Sequence, residues 1–443
     1  MENINYAKIS SYEGKMGEVK KVVLLYSGGL DTSCILKWIQ DKYKAEVITL
    51  TMDLGQQVDD LKKIKAKALK LGALKAYVVD AKDEFADKYL SKMIKANGTY
   101  QEDYYISTIS RYIMAEKAIE IAKLEGADCI AHGCTGKGND QVRIEATAIS
   151  MNPKIKIIAP VREWAMGREK EIKYAKEHGI EVVQKEDFPY SSDDNMWGVT
   201  WESGEIEDNN EIPKIEKFLT VNQIKDTPDE PEILELGFKK GVPVSINGEK
   251  MKLSTLIQKL NKIGALHGIG VKYMIEDRLV GLKIRGVYEH PGAEIIMKAH
   301  KKIELFVSTR TQNEFKKTID HKWAHMCYSA LWMDPLMDDL NVFCDNVNQK
   351  VTGTTKLKLF KGNVDVVALD SPYALYDKNL VTFNTDNTFN QNWSPSFIEI
   401  YSQQMKMAQQ IKNKVNEKTE SKSVEVEKSL LEESQNIAEK VII

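Results

Sequence analysis

A continuous apolar run, Lys21-Val22-Val23-Leu24-Leu25-Tyr26, breaks at Ser27-Gly28-Gly29 and gives way to Leu30-Asp31-Thr32-Ser33-Cys34-Ile35-Leu36-Lys37-Trp38-Ile39, where apolar positions 35, 38 and 39 recur at helical spacing. A run apolar at every position fits a strand covered on both faces, the habit of parallel sheets. The local plan is strand, glycine turn, helix. The first N–H groups of a helix lack partners within it, and the helix dipole adds partial positive charge there, so such a turn favours an anion. Gly28 and Gly29 let the backbone curl close to a phosphate, and Ser27, Thr32 and Ser33 add hydroxyl donors. Asp31, an acid where anions are expected, makes sense beside a metal-bound phosphate. Taken alone, the two glycines would serve a plain strand-to-helix connection equally well.

The pattern repeats. Further strand-like runs fall at 46–52, 76–80, 128–133, 156–159 and 180–183, with helical periodicity between them, as in Leu61, Ile64, Ala68 and Leu71. This alternation predicts an α/β fold with a doubly wound parallel sheet, whose ligands bind beyond the carboxyl ends of the strands. Residues 1–20 read as a polar flexible arm and 21–186 as the nucleotide-binding domain. From about Asp187 the sequence turns polar and rich in turns, and a second, α+β domain is expected over 187–395. It has a hairpin signal at Asn247-Gly248, a helix over 254–263, a long helical stretch near 292–320 and strands near 353–369. Residues 396–443 contain neither Pro nor Gly and read as a helical, charged tail with an apolar stripe through Met407, Ile411 and Val415.

With 62 basic and 65 acidic residues among 443, the net charge of −3 gives no field that would gather nucleic acid or an acidic membrane surface. The start of the chain lacks a secretory apolar core and no long apolar run occurs, so a cytoplasmic location with small-molecule substrates is expected. Five cysteines without a Cys-x-x-Cys pair argue against a disulfide framework or a thiolate metal site. His321 and His325 share i, i+4 spacing, but the residues between them supply no Glu, and two histidines on a helix face need no metal.

A second chemical cluster, Gly133-Cys134-Thr135-Gly136-Lys137-Gly138-Asn139-Asp140-Gln141-Val142-Arg143-Ile144-Glu145, follows the fourth strand. Its mixture of acids, bases, amides and a hydroxyl suits a zwitterion, an acid for the ammonium and an Arg for the carboxylate. An ordinary helix capped by Asn139 or Asp140 would explain it as well. The string 27–33 resembles the pyrophosphate loop of the ATP pyrophosphatases. Together with His132–Arg143, Tyr190-Ser191-Ser192-Asp193-Asp194-Asn195, His267–Gly270, Glu276-Asp277-Arg278 and Arg285–Glu289, it makes the chain resemble the argininosuccinate synthases over about residues 20–400.

That resemblance implies ATP and Mg²⁺, with the phosphates on the loop 27–33, the adenosine along the backbone near Met52 and Gly133, and Tyr26 among the ATP-binding residues. It implies aspartate at Thr135, Asn139 and Asp140, and citrulline at Tyr104, Ser110, Arg143, Ser191, Thr200, Glu276 and Tyr288. Asp31, Asp140 and Arg111 are the candidate catalytic residues, Asp31 being the metal-linked acid. A homotetramer is implied too. Citrulline's ureido oxygen would attack the α-phosphorus of ATP, and the aspartate amine would then displace AMP. Departures gather on the citrulline side: the segment Ser107-Thr108-Ile109-Ser110-Arg111-Tyr112 is altered, Thr200 replaces a serine, Asp277 an asparagine and Ile284 a serine. A sister ligase with another ureido or amide substrate is the first alternative. A tRNA-modifying relative would want basic patches or a thiol pair, and a nucleotide sensor would have lost Asp31 or the 135–143 cluster.

Overall fold

The computed structural model describes residues 16–57, 60–164, 168–181, 188–384 and 388–440. The arm expected over 1–20 lies mostly outside them, although Val19 is buried. Val182 and Val183 of the sixth expected strand also lie outside, and Ile180 and Glu181 do not join the sheet. Two compact units divide between Leu375 and Tyr376.

In the first unit, β1 (Lys21–Leu25), β2 (Glu46–Asp53), β3 (Lys75–Asp80), β4 (Cys129–Ala131) and β5 (Lys156–Ile158) form a parallel sheet in the order β3-β2-β1-β4-β5. Val22, Val23 and Leu24 are completely buried, as a strand covered on both faces requires. The strand order reverses beside β1, with β2 on one flank and β4 on the other. A crevice therefore opens above the carboxyl ends of β1 and β4, where the two glycine-rich segments emerge.

The rest of this unit is antiparallel. β6 (Ser191–Asn195), β7 (Gly198–Glu202), β8 (Glu232–Lys239), β9 (Val242–Ile246), β10 (Glu249–Lys250), β11 (Val271–Asp277), β12 (Lys283–Glu289), β13 (Gly353–Phe360) and β14 (Asn363–Asp370) make two sheets. Their orders are β11-β12-β7-β6 and β10-β9-β8-β13-β14. Asn247 and Gly248 both take positive φ between β9 and β10, the turn that hairpin signal demands. The helical stretch expected near 292–320 is two helices, Pro291–Val307 and Arg310–Tyr328. Thr309 ends the continuity: its hydroxyl accepts from Gln312 N while the Gln312 side chain accepts from Thr309 N, a capping box that starts a new helix.

The second unit contains the helices Ser394–Tyr401 and Gln403–Lys440. Phe397, Ile400, Tyr401, Met407, Ile411 and Val415 are exposed on them, and no residue over 376–384 or 388–435 is buried.

A buried polar cluster ties the loop after the Ser91–Lys95 helix to the two helices split at Thr309. Lys316 Nζ lies 2.6 Å from Asp320 and 3.0 Å from Glu304, and Asn97 Nδ2 donates to both carboxylates at 2.7 and 2.9 Å. Removing the lysine leaves two carboxylates facing each other out of water, a loss of about 3–5 kcal/mol. Lys316→Met is expected to lower the thermal unfolding midpoint, and adding Glu304→Gln and Asp320→Asn to recover most of the loss.

Candidate active site

The loop after β1 is built for an anion. Gly28 has φ +81°, and a Cβ there would lie 2.9 Å from the Ile64 side chain, so only glycine lets the turn lie against the Leu61–Lys70 helix. Lys67 Nζ from that helix donates to the Gly28 carbonyl at 2.9 Å. Gly29 is the N-cap of the Leu30–Tyr43 helix and supplies no side-chain cap, so the helix presents its first N–H groups outward. Ser27 Oγ and Thr32 Oγ1 sit 3.0 Å apart at the mouth. Ser33 is turned inward: it is buried, donates to Gly29 O at 2.6 Å and bonds the Tyr26 hydroxyl at 3.0 Å. Ser33 and Gly28 thus shape the loop and do not line the cavity. Tyr26, Ser27, Gly29, Leu30, Asp31 and Thr32 line it, together with Met52 and Gly133.

This cavity, about 660 Å³, continues to the second cluster and to the β11-β12-β7-β6 sheet. Thr135, Asn139, Asp140 and Arg143 line it from the segment leading into the Asp140–Met151 helix, and Tyr104, Ser110 and Arg111 from the start of the Ser110–Glu125 helix and the loop before it. Strand register supplies the far wall. Asp193 pairs with Thr200 and Thr200 with Tyr288, a row across three strands that faces the cavity beside Ser191 and Glu276. The residues expected to hold aspartate and citrulline therefore all line one space. Asp277 and Ile284 do not line it.

Asp140 is the electrostatic centre. Its Oδ2 accepts from Arg111 Nε at 2.9 Å and its Oδ1 from Arg143 Nη1 at 2.8 Å, while Arg111 Nη2 reaches Asp193 at 2.6 Å. Burial opposes the charged form of Asp140, and the two guanidiniums override it, holding the carboxyl below the ordinary aspartate range. Arg143 is 2% exposed, donates through Nε to Tyr328 O at 3.0 Å, and keeps Nη2 buried with no hydrogen-bond partner. A buried guanidinium donor left over at a cavity wall is a place for a carboxylate. Glu276 accepts at Oε1 from Tyr328 OH and at Oε2 from Tyr288 OH, both 2.6 Å. His132 takes a hydrogen bond from Cys134 N at Nδ1, which leaves Nε2–H to donate to Glu145 at 3.0 Å and stiffens the start of the second cluster.

Several residues of the site have no counterpart in the sequence expectations. Glu202 follows Thr200 on the same face of β7 and accepts both bonds of a fork from Arg278 Nη2, at 2.6 and 2.7 Å. Tyr328 stands behind the wall. Asp193 and Asp194 lie within β6, where two adjacent acids in a short polar strand were the available signal. Asp194 lines the cavity and accepts from Gln57 N at 2.8 Å. Burial, with Asp193 and Glu289 nearby, pushes its carboxyl up to about 6, the Gln57 bond pulling the other way. An ordinary aspartate titrates near 3.9, so the folded protein holds this proton more tightly than the unfolded chain. The penalty for ionising it grows as pH rises from about 4 to 6 and is full above that, at most about 3 kcal/mol. Asp194→Asn is expected to raise the thermal midpoint at pH 8 and to leave it unchanged near pH 4, as read from melting curves across that range.

Comparison with known proteins agrees with this architecture. Residues 21–181 match the Arginosuccinate synthase N-terminal HUP domain and residues 190–408 the Arginosuccinate synthase C-terminal domain. The argininosuccinate synthase of Pyrococcus furiosus is 48% identical over 389 residues, covering 88% of this chain and 94% of that protein. Those of Symbiobacterium thermophilum and Oceanobacillus iheyensis are 45% and 44% identical over 384 and 408 residues, covering 86% and 92% of this chain and 96% of each relative. With both domains matched in order and nearly the full length of these relatives covered, the chain belongs to the argininosuccinate synthase family.

Proposed function

We propose that this cavity carries out the family's ligation with three substrates held in line: ATP on the β1 loop, aspartate over the 135–140 segment and citrulline against the β11-β12-β7-β6 sheet. The observation that supports it best is the joining, in one space, of an uncapped helix N-terminus and a buried, unpartnered Arg143 Nη2. The first suits a polyphosphate and the second an amino-acid carboxylate. Glu276, with both oxygens already oriented by phenols, suits the α-ammonium of the same amino acid. Asp140 is a partner for the aspartate amine, its charge kept available by Arg111 and Arg143.

The ureido oxygen of citrulline attacks the α-phosphorus, and the bond to the β-phosphate oxygen breaks with loss of pyrophosphate. The amine of aspartate then attacks the activated carbon, AMP leaves with the ureido oxygen, and argininosuccinate remains. The chain's contribution is orientation and electrostatics: N–H groups of the 27–33 loop face the departing charge, and no side chain is needed as nucleophile. Asp31 suits a magnesium ion, because it is an exposed carboxylate in the first helical turn that lines the cavity beside the expected phosphates. Bound there, Mg²⁺ would neutralise charge on pyrophosphate. The exposed apolar residues of the Ser394–Tyr401 and Gln403–Lys440 helices suit burial in a homotetramer, and a cytoplasmic enzyme is the natural setting for these substrates.

The test is pyrophosphate release by the purified protein with ATP and Mg²⁺, citrulline and aspartate being added singly and together while AMP and the condensed product are followed by mass spectrometry. Stoichiometric pyrophosphate, AMP and argininosuccinate with both amino acids present is the expected result. Aspartate-dependent turnover with some other ureido or amide compound, and none with citrulline, would overturn the third substrate. Asp31→Asn is expected to lower kcat about tenfold or more and to raise the Mg²⁺ concentration needed for half-maximal rate, measured by magnesium titration at saturating ATP.

A further inference from the structure

Tyr328 is the last residue of the Arg310–Tyr328 helix and does not line the cavity, yet three of the residues that do are held by it. Its carbonyl accepts Arg143 Nε at 3.0 Å, and its ring lies 4.9 Å from the same guanidinium. Its hydroxyl accepts from Asn139 Nδ2 at 2.7 Å. The Asn139 amide cannot turn the other way round, because its Oδ1 takes the Leu279 N–H at 2.8 Å. With that lone pair occupied, the phenolic proton points to Glu276 Oε1 at 2.6 Å; the Asp277 carbonyl, at 3.0 Å, is the longer and uncharged acceptor. Burial and the Glu276 charge keep the phenols of Tyr328 and Tyr288 protonated far above neutral pH, so both remain donors. The ring itself is fixed by Tyr100, stacked at 3.6 Å with planes 4° apart.

We propose that Tyr328 is a positioning residue of the amino-acid site. Its hydroxyl orients the Glu276 carboxylate together with Tyr288, links it to Asn139, and so sets the affinity for an ammonium group it never touches. This rests on the assignment of Glu276 to the α-ammonium of citrulline. The direction of the hydrogen bonds, Asn139 to Tyr328 to Glu276, makes the aspartate side and the citrulline side share one donor chain.

Tyr328→Phe removes the hydroxyl and keeps the ring stack and the backbone carbonyl. Steady-state kinetics with each of the three substrates varied in turn, at several pH values, would be run beside Glu276→Gln and Tyr288→Phe. The expected result for Tyr328→Phe is a KM for citrulline raised about tenfold, a KM for ATP within about twofold of the parent, and an unchanged thermal midpoint. Tyr288→Phe, which removes the other donor to Glu276, raises the citrulline KM in the same way and leaves the ATP KM near that of the parent. Equal rises in all three KM values with a lower midpoint would mark a purely structural residue and overturn the proposal. Unchanged constants in Tyr328→Phe alongside a raised citrulline KM in Glu276→Gln would overturn it too. A citrulline KM unaffected in Glu276→Gln would instead remove the ammonium assignment, and the role given to Tyr328 with it.

Discussion

Asp140 sits between two guanidiniums that cannot give up their charge, and the site depends on that arrangement. A buried arginine needs an anion within reach, because the cost of leaving it unpaired exceeds what a side-chain hydrogen bond usually contributes. Arg111 belongs to the Ser110–Glu125 helix, Arg143 to the Asp140–Met151 helix and Asp193 to β6. Satisfying all four charges at once fixes the two helices and the first strand of the antiparallel sheet in one geometry. The cavity is the space left between those elements. Asp140, Arg143, Arg111 and Asp193 all line that space.

Against this tightly satisfied background, the unfinished features stand out because they line one cavity. Arg143 keeps an unpartnered donor, the Leu30–Tyr43 helix has no side-chain cap, and Asp194 is partly desolvated with another acid beside it. Each is a local loss of stability that a folding chain has no reason to keep. Each is also complementary to part of a ligand: a carboxylate, a polyphosphate, a donor group. Natural sequences break local rules mainly where binding compensates, and here the breaks coincide in space although residues 29, 143 and 194 are far apart in sequence.

What was legible in the sequence follows from this distinction. The β1 strand and the turn into its helix were legible because burial on both faces and helix periodicity are local, whereas Asp140, Arg143 and Glu276, named only through the resemblance, lie together in one cavity. Within the loop, sequence could not tell Ser33, which turns inward to Tyr26, from Thr32, which faces the mouth. The wall Asp193–Thr200–Tyr288 is a matter of antiparallel register, which no single segment reveals. The Arg278–Glu202 fork joins residues 76 positions apart, and Tyr328 reaches Arg143 across 185, so neither had a local signal. Thr309-Arg310-Thr311-Gln312 did carry one: a capping box inside an otherwise helical stretch marks a new start.

The departures near the third substrate are narrower in space than in sequence. Asp277 meets Tyr100 and Tyr328 through its backbone carbonyl, and its side chain, with that of Ile284, lies outside the cavity wall. The altered 107–112 segment still brings Thr108, Ser110 and Arg111 to the wall, and Ser107 bonds the Tyr104 hydroxyl from behind it at 3.2 Å. Thr200, set between Asp193 and Tyr288, is the single-residue replacement that lines the cavity. Threonine keeps the hydroxyl, and hydrogen-bond recognition is where strong discrimination arises, whereas one methyl is worth about 1–3 kcal/mol. At position 200, a methyl added beside a retained hydroxyl narrows the space without removing a hydrogen-bonding group, a change of size and not of polarity.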